Sequence, residues 1–232
     1  MKLSILIPAY NEENTIILLL EKVKKIRLPK GWSKEIIVVD DASTDETANK
    51  VPKKWVKLIQ HKKNMGKGAA LRTAIKRAGG EYIVFQDADL EYDPKDIVRL
   101  LRVAIQKDKS VVYGSRLLNL KFKLFGKDAT PMPFHYWGNK LLTYATNILY
   151  GSGLTDMETC YKLFRADVLK SLKLTTNRFG IEPEVTGKLL KAKHEIAEIP
   201  IKVKPRGYKD GKKIGWEDAL SALWVLVLTR FR

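Results

Sequence analysis

The feature that most limits the fold of this chain is the alternation, through its first half, of short β-branched runs with helical patterns. Leu3 to Ile7 reads as a strand, followed by an amphipathic helix from about Glu12 to Ile26. Glu35 to Val39 is a second strand and ends in an acidic turn, Asp40 to Asp45. Val56 to Gln60 is a third. A glycine-containing turn, Asn64 to Gly68, then leads into a helix from Ala69 to Ala78. Tyr82 to Gln86 and Val111 to Gly114 are the fourth and fifth strands. Apolar strands alternating with helices of roughly 10–15 residues predict βαβ units: an α/β fold with a mainly parallel sheet covered on both faces. Such sheets bind ligands beyond the carboxyl ends of their strands. The polar clusters of this half all sit at those ends.

The second half is less regular. Leu117 to Phe134 mixes Lys, Phe, Leu, Gly and Pro without a period, as a long functional loop does. Helices are expected at Tyr136 to Tyr150 and Glu182 to Ala192, a short strand at Ile196 to Val203, and a last helix from Trp216 to Arg232. With 232 residues and no Pro/Ser/Gly-rich linker, one large domain is expected. Its catalytic part would span 1–215, with a terminal helix at 216–232.

Lys and Arg total 43 against 26 Asp and Glu, a formal net charge of +17. That excess attracts anionic partners, whether phosphate-bearing substrates or acidic lipid head groups; on its own it equally describes the solvated surface of a thermophile protein. The single cysteine, Cys160, forms no internal disulfide, so a reducing interior is expected. The apolar run at the N-terminus is broken by Pro8 and Asn11, too early for a signal peptide. No stretch reaches the roughly 18 apolar residues of a spanning helix. These readings place the protein on the cytoplasmic side, peripheral to a membrane. No nucleic-acid motif is visible, and no nucleic-acid partner is expected.

Asp87-Ala88-Asp89, directly after the strand YIVFQ, is the sharpest motif. Two carboxylates spaced i, i+2 at a strand end can approach one divalent cation. Mg²⁺ or Mn²⁺ takes such oxygen ligands and shares them with substrate phosphates. Glu91 is a candidate third ligand. The runs Ile7-Pro8-Ala9-Tyr10-Asn11-Glu12, Val38-Val39-Asp40-Asp41-Ala42-Ser43-Thr44-Asp45, Asn64-Met65-Gly66-Lys67-Gly68 and Asp87-Ala88-Asp89 together resemble glycosyltransferase family 2 over about the first 115 residues. The resemblance implies the GT-A fold, a nucleotide diphosphate sugar donor linked to GDP or UDP, and a divalent metal. It implies that Pro8, Ala9, Tyr10 and Glu12 line the nucleotide pocket, with Asp40 or Asp41 near the base. Met65, Gly66 and Lys67 would close over the nucleotide, with Ala88 beside it. Asp87, Asp89 and Glu91 would hold the metal on the diphosphate.

Within that family the second half looks like the polyprenol-phosphate mannose and glucose synthases. Gly114-Ser115-Arg116 resembles their basic segment after the fifth strand, where the arginine binds the acceptor phosphate; a guanidinium fork suits phosphate. Thr155 to Arg165 falls where those enzymes carry a D-x-x-S/T-G-F/Y-R-type segment, with Cys160 and Lys162 in place of the usual Gly and Arg. His135, Asn139 and Lys140 are the candidates for a second acceptor contact. Glu182 and Glu184 are candidates for a general base, which a hydroxyl acceptor needs and a phosphate does not; Glu182 alternatively orients sugar hydroxyls, and the helix dipole alone also favours acids there. Pro205 to Trp216 reads as a basic lid whose Arg206, Lys212 and Lys213 reach the phosphates. Lys121-Phe122-Lys123-Leu124-Phe125 and the tail pair basic with apolar groups, as at an anionic membrane surface. The expected reaction is inverting hexosyl transfer to a polyprenyl phosphate. The rival is transfer to a sugar hydroxyl in glycan synthesis, and a non-catalytic basic binder is the least favoured reading.

Overall fold

The computed structural model describes residues 1–120, 133–204 and 216–231, at 133–135 and 216–218 by backbone only. Along the chain the elements are β1 (Lys2–Ala9), α1 (Ile16–Lys25), β2 (Ser33–Asp40), α2 (Thr47–Lys50), β3 (Lys57–Gln60), α3 (Lys67–Arg77), β4 (Tyr82–Phe85) and α4 (Lys95–Gln106). There follow β5 (Val111–Ser115), α5 (Pro133–Tyr150), β6 (Lys162–Arg165), α6 (Ala166–Ser171), α7 (Ile181–Lys191), β7 (Ala197–Pro200) and α8 (Trp216–Phe231). The strands form one sheet in the order β3-β2-β1-β4-β6-β5-β7. All its pairings are parallel except those of β6, which runs antiparallel to both β4 and β5.

Side-chain alternation divides the core between the two faces. Leu3, Ile5 and Ile7 of β1 pack with Ile16, Leu19, Leu20 and Val23 of α1 and with Ile97, Leu100, Leu101 and Ala104 of α4. The helical residues recur at i, i+3, i+4, i+7, the spacing that puts one stripe of a helix on a sheet. Leu6, Ile37, Ile83 and Phe85 point the other way, onto α3, α6 and α7. Each fully buried Leu or Ile contributes about 1.5–3 kcal/mol. A smaller cluster joins Leu142 of α5, Met157, and Ala222 and Leu226 of α8.

The α/β class, the parallel core and the helices on both faces agree with the sequence pattern. That pattern assigns neither α4 nor β6. The second omission matters for the site: because β6 runs backwards, its leading loop, and not its end, reaches the edge where β1, β2, β4 and β5 terminate.

Candidate active site

The ends of β2, β1, β4 and β5 meet at that edge, with the start of β6 between β4 and β5. Asp41 follows β2; Pro8, Ala9, Tyr10 and Glu12 end or follow β1; Asp87, Ala88, Asp89 and Glu91 follow β4. Glu158 and Cys160 precede β6, and Arg116 follows β5. All of them line one pocket of ≈ 480 Å³. Asn64, Gly66 and Lys67 at the start of α3, Tyr92, Asn139 of α5, and Arg178 and Phe179 before α7 complete its wall. Three residues without glycine's freedom take positive φ directly after these strands: Asn11 (52°), Ala42 (61°) and Leu90 (64°). Such conformations cost about 1 kcal/mol or more each and collect at functional sites.

Asp41 organises the pocket wall beside β2. Its carboxylate accepts the backbone N–H of Met65 at 3.0 Å and of Gly66 at 2.6 Å, and lies 2.6 Å from His61 Nδ1. Bonds to a charged acceptor are worth about 1.5–3 kcal/mol each, so Asp41 fastens the 64–68 turn against the end of β2. Gly66 (φ 94°) and Gly68 serve the same purpose from the other side. A methyl group on Gly66 would lie 2.5 Å from the Asn177 carbonyl oxygen, and one on Gly68 would strike that of Thr176. The glycines thus allow close approach of another backbone segment, 176–178, and Gly66 also lines the pocket. Asp40 is 2% exposed and lies beneath the wall, with Oδ1 lacking a hydrogen-bond partner among the described residues.

A row of alternating charges runs from the pocket wall into the core. Lys67 Nζ lies 2.7 Å from Asp87 Oδ1 and 3.2 Å from Glu182 Oε1, and Glu182 Oε2 accepts from the fully buried Lys162 at 2.7 Å. Burial works against the Lys67 charge, but Asp87, Cys160 and Glu182 outweigh it and hold its pKa well above the ordinary lysine value. Asp87 is correspondingly held below the ordinary range, chiefly by Lys67 against the opposing effect of burial. On the far wall, Arg116 grips buried Asp156 with Nε and Nη2, both at 2.7 Å, which leaves Nη1 outside the clamp. Burial lowers the Arg116 pKa but Asp156 raises it further, so the guanidinium is a fixed cation.

Several residues singled out in the sequence lie elsewhere. Glu184 accepts from Thr175 N, Thr175 Oγ1, Thr176 N and Lys188 Nζ and does not line the pocket. Burial would raise its pKa, but Lys188 and the threonine donors hold it at about 2. A carboxylate so acidic and so fully bonded is no general base. Glu182 does not line the cavity either: Lys162 holds its Oε2, and its Oε1 is ion-paired with Lys67 but has no hydrogen-bond partner among the described residues. Ser115 is buried; its Oγ bonds Thr155 Oγ1 and accepts the amides of Leu117 and Leu118, a turn-forming role instead of an acceptor contact. Met65 is exposed at the rim and does not line the cavity. His135 is in the first turn of α5, where only the backbone is described, and Arg206, Lys212, Lys213 and the 121–125 stretch lie outside the described residues. A larger groove, ≈ 600 Å³, runs between α1 and α4 among Lys22, Lys25, Arg27, Lys95 and Arg102, and contains none of these residues. Convergence of polar groups, not size, marks the site.

Residues 4–173 match the family described as Glycosyl transferase family 2. The chain belongs to that family. Among its relatives, the UDP-N-acetylglucosamine–dolichyl-phosphate N-acetylglucosaminyltransferase of Methanococcus voltae is 31% identical over 222 residues, covering 85% of this chain and 84% of the relative. Dodecaprenyl-phosphate galacturonate synthase of Rhizobium johnstonii is 30% identical over 187 residues, covering 75% of this chain and 51% of that protein. The chain thus spans about half the length of some of the curated relatives it matches. Glucosyl-3-phosphoglycerate synthase from Mycobacterium tuberculosis, solved with Mn²⁺, UDP and phosphoglyceric acid, superposes with a TM-score of 0.74 at 18% identity, over 98% of this chain and 76% of that one. At that identity the likeness shows the fold, which is GT-A.

Among the described residues of this family 2 chain, no three His, Cys, Asp or Glu side chains converge as a ready-made metal cage. Mg²⁺ does not need one, because it is typically held by one or two carboxylates together with substrate phosphates and water. Asp87 and Asp89 are two such oxygen donors on one pocket wall. The donor set therefore fits a hard divalent cation that arrives with a diphosphate.

Proposed function

We propose that this chain transfers a hexose from a nucleotide diphosphate sugar to a polyprenyl phosphate, with inversion at the anomeric carbon. The observation that carries the reading is the arrangement of charge across one pocket. Two carboxylates, Asp87 and Asp89, face a fixed cation, Arg116, across the width of β6, while both glutamates considered as bases are tied up in ion pairs. An acceptor that is already anionic needs no base. The relatives with polyprenyl phosphate in their names support the same acceptor class.

In this reading Pro8, Ala9, Tyr10 and the Asp41-held turn seat the nucleoside diphosphate, and Asp87 and Asp89 hold Mg²⁺ or Mn²⁺. The cation would supply charge neutralisation for the departing diphosphate. Arg116, oriented by Asp156, holds the acceptor phosphate so that its oxygen attacks in line. A stripe on α5, Trp137, Leu141, Tyr144 and Ile148, is exposed at the spacing of one helix face, and Trp137 is 59% exposed. On α8, Leu220, Trp224 and Phe231 are exposed as well. Apolar and aromatic faces on a chain of net charge +17 suit peripheral docking on an anionic bilayer, where the lipid acceptor resides. Among the described residues no helix is long and apolar enough to cross a membrane.

The test is transfer from a panel of GDP- and UDP-sugars to a polyprenyl phosphate in detergent, with Mn²⁺ or Mg²⁺. Product with one nucleotide family, reduced at least about tenfold in Arg116→Ala, is the expected result. Transfer to a sugar hydroxyl but never to the lipid phosphate would contradict it.

A further inference from the structure

We propose that Glu158 reads the hydroxyl groups of the transferred sugar. The inference rests on the donor-site reading above and goes beyond it: Glu158 lies in the Thr155 to Arg165 segment, at a position to which the motif assigns no role. It starts from the order of strands along the site edge. Asp41 belongs to β2, the wall Pro8–Tyr10 to β1, Asp87 and Asp89 to β4, Glu158 to the loop before β6, and Arg116 to β5. Neighbouring strands are about 4.8 Å apart, so a ligand laid along the edge meets these groups one after another. If the nucleoside lies at β2 and β1, the diphosphate at β4 and the acceptor phosphate at β5, the unit between the two phosphates faces β6. That unit is the sugar.

The loop that carries Glu158 is held rigidly. Thr155 N and Asp156 N donate to Glu198, and the Asp156 carboxylate grips Arg116. Met157 N donates to Thr143 Oγ1, Thr159 Oγ1 donates to the Gly114 carbonyl, and Cys160 N donates to the Tyr92 hydroxyl. Lys162 Nζ donates to the carbonyls of Met157 and Thr159 from below. Against this background the Glu158 side chain stands out. It lines the pocket, and its Oε1 is shielded from solvent without a hydrogen-bond partner among the described residues. A buried polar atom left unbonded is costly and calls for a partner; at a pocket wall a bound ligand can supply one.

The charges around it select a neutral group. Lys162 and Arg116 pull towards the anion, Glu182 and Asp156 oppose it, and burial pushes the Glu158 carboxyl up to about 7. A carboxyl in this balance would repel a phosphate when ionised. It bonds a hydroxyl in either protonation state, as acceptor or as donor.

The experiment compares binding of a nucleoside diphosphate with that of its sugar, using UDP, UDP-glucose, UDP-N-acetylglucosamine, GDP and GDP-mannose with Mn²⁺, by titration calorimetry. The parent protein, Glu158→Ala and Glu158→Gln are measured alongside their melting temperatures. In Glu158→Ala the affinity for the preferred sugar nucleotide should fall about ten- to a hundredfold while the bare nucleoside diphosphate binds as before. Glu158→Gln, which keeps a hydroxyl-bonding group, should recover part of the loss. Equal affinity of parent and Glu158→Ala for the sugar nucleotide would overturn the proposal. So would a parallel loss of both ligands, the mark of a merely structural role. Unchanged sugar-nucleotide binding with abolished transfer would also overturn it, in favour of a proton-transfer role. If the parent binds no nucleotide at all, the donor reading fails and this inference with it, a result distinct from the other three.

Discussion

Two glutamates on this chain titrate in opposite senses, and each gives a separate test. Glu184 sits at about 2 because Lys188 and the donors of Thr175 and Thr176 bind its anion more strongly than burial penalises it. A depressed folded-state pKa stabilises above the unfolded value near 4.5, and that stabilisation is lost as pH falls from there towards 2. Glu184→Gln should therefore melt lower than the parent at pH 7, by about 1–3 kcal/mol in stability, with the gap narrowing in acid and transfer retained at temperatures where the variant is folded. Loss of transfer in a fully folded Glu184→Gln would restore it as a base. Glu158 has the reverse sign: its folded pKa is raised, so the native state binds the extra proton and stability falls as pH rises from about 4.5 to about 7. Glu158→Gln should melt higher than the parent at pH 8 and no differently near pH 4, which scanning calorimetry across pH would show. Neither role was legible in the sequence. The acids at 182 and 184 look alike there, and their difference is made by Lys162, Lys67, Thr175 and Thr176, partners the fold supplies.

At the scale of elements, legibility followed local pattern. β1, β2 and β4 were readable because each is a continuous apolar run that stops at its polar cluster, and the site residues on them follow immediately. β6 was not: Lys162 to Arg165 is four residues long, carries two basic side chains and lies inside a segment read for its motif. Its lysine is buried against Glu182, which arrives from α7, and the carbonyls of Met157 and Thr159. Nothing in the sequence pattern therefore brings the loop before β6, with Glu158 and Cys160, to the site edge where they line the pocket. The turn before α3 offers a direct check on element packing. Gly68→Ala would strike the Thr176 carbonyl, so it should destabilise by about 1–3 kcal/mol and weaken nucleotide binding more than Leu20→Ala does. The latter, in the core between α1 and β1, should cost about 2–5 kcal/mol and leave nucleotide affinity unchanged in the folded fraction. Equal effects on binding would mean that the turn does not shape the donor site.

For the whole molecule, the proposed docking on an anionic bilayer uses charge and the exposed stripe together. Binding to vesicles containing phosphatidylglycerol should weaken as salt rises, because surface attraction is screened within about 10 Å at 0.1 M. Leu141→Glu with Ile148→Glu should weaken it further without changing nucleotide affinity; co-flotation that ignores both changes would remove the membrane from the account. In the proposed function, four strand ends and the loop before β6 build one site for a metal-bound nucleotide sugar. The most direct measurement is the melting temperature of the parent and of Asp87→Asn/Asp89→Asn with GDP, UDP and their sugars, with and without Mn²⁺. Stabilisation by one nucleotide family that requires the cation and both carboxylates is expected, through preferential binding to the folded state. No shift with any nucleotide, or a shift indifferent to Mn²⁺ and to the two substitutions, would contradict it.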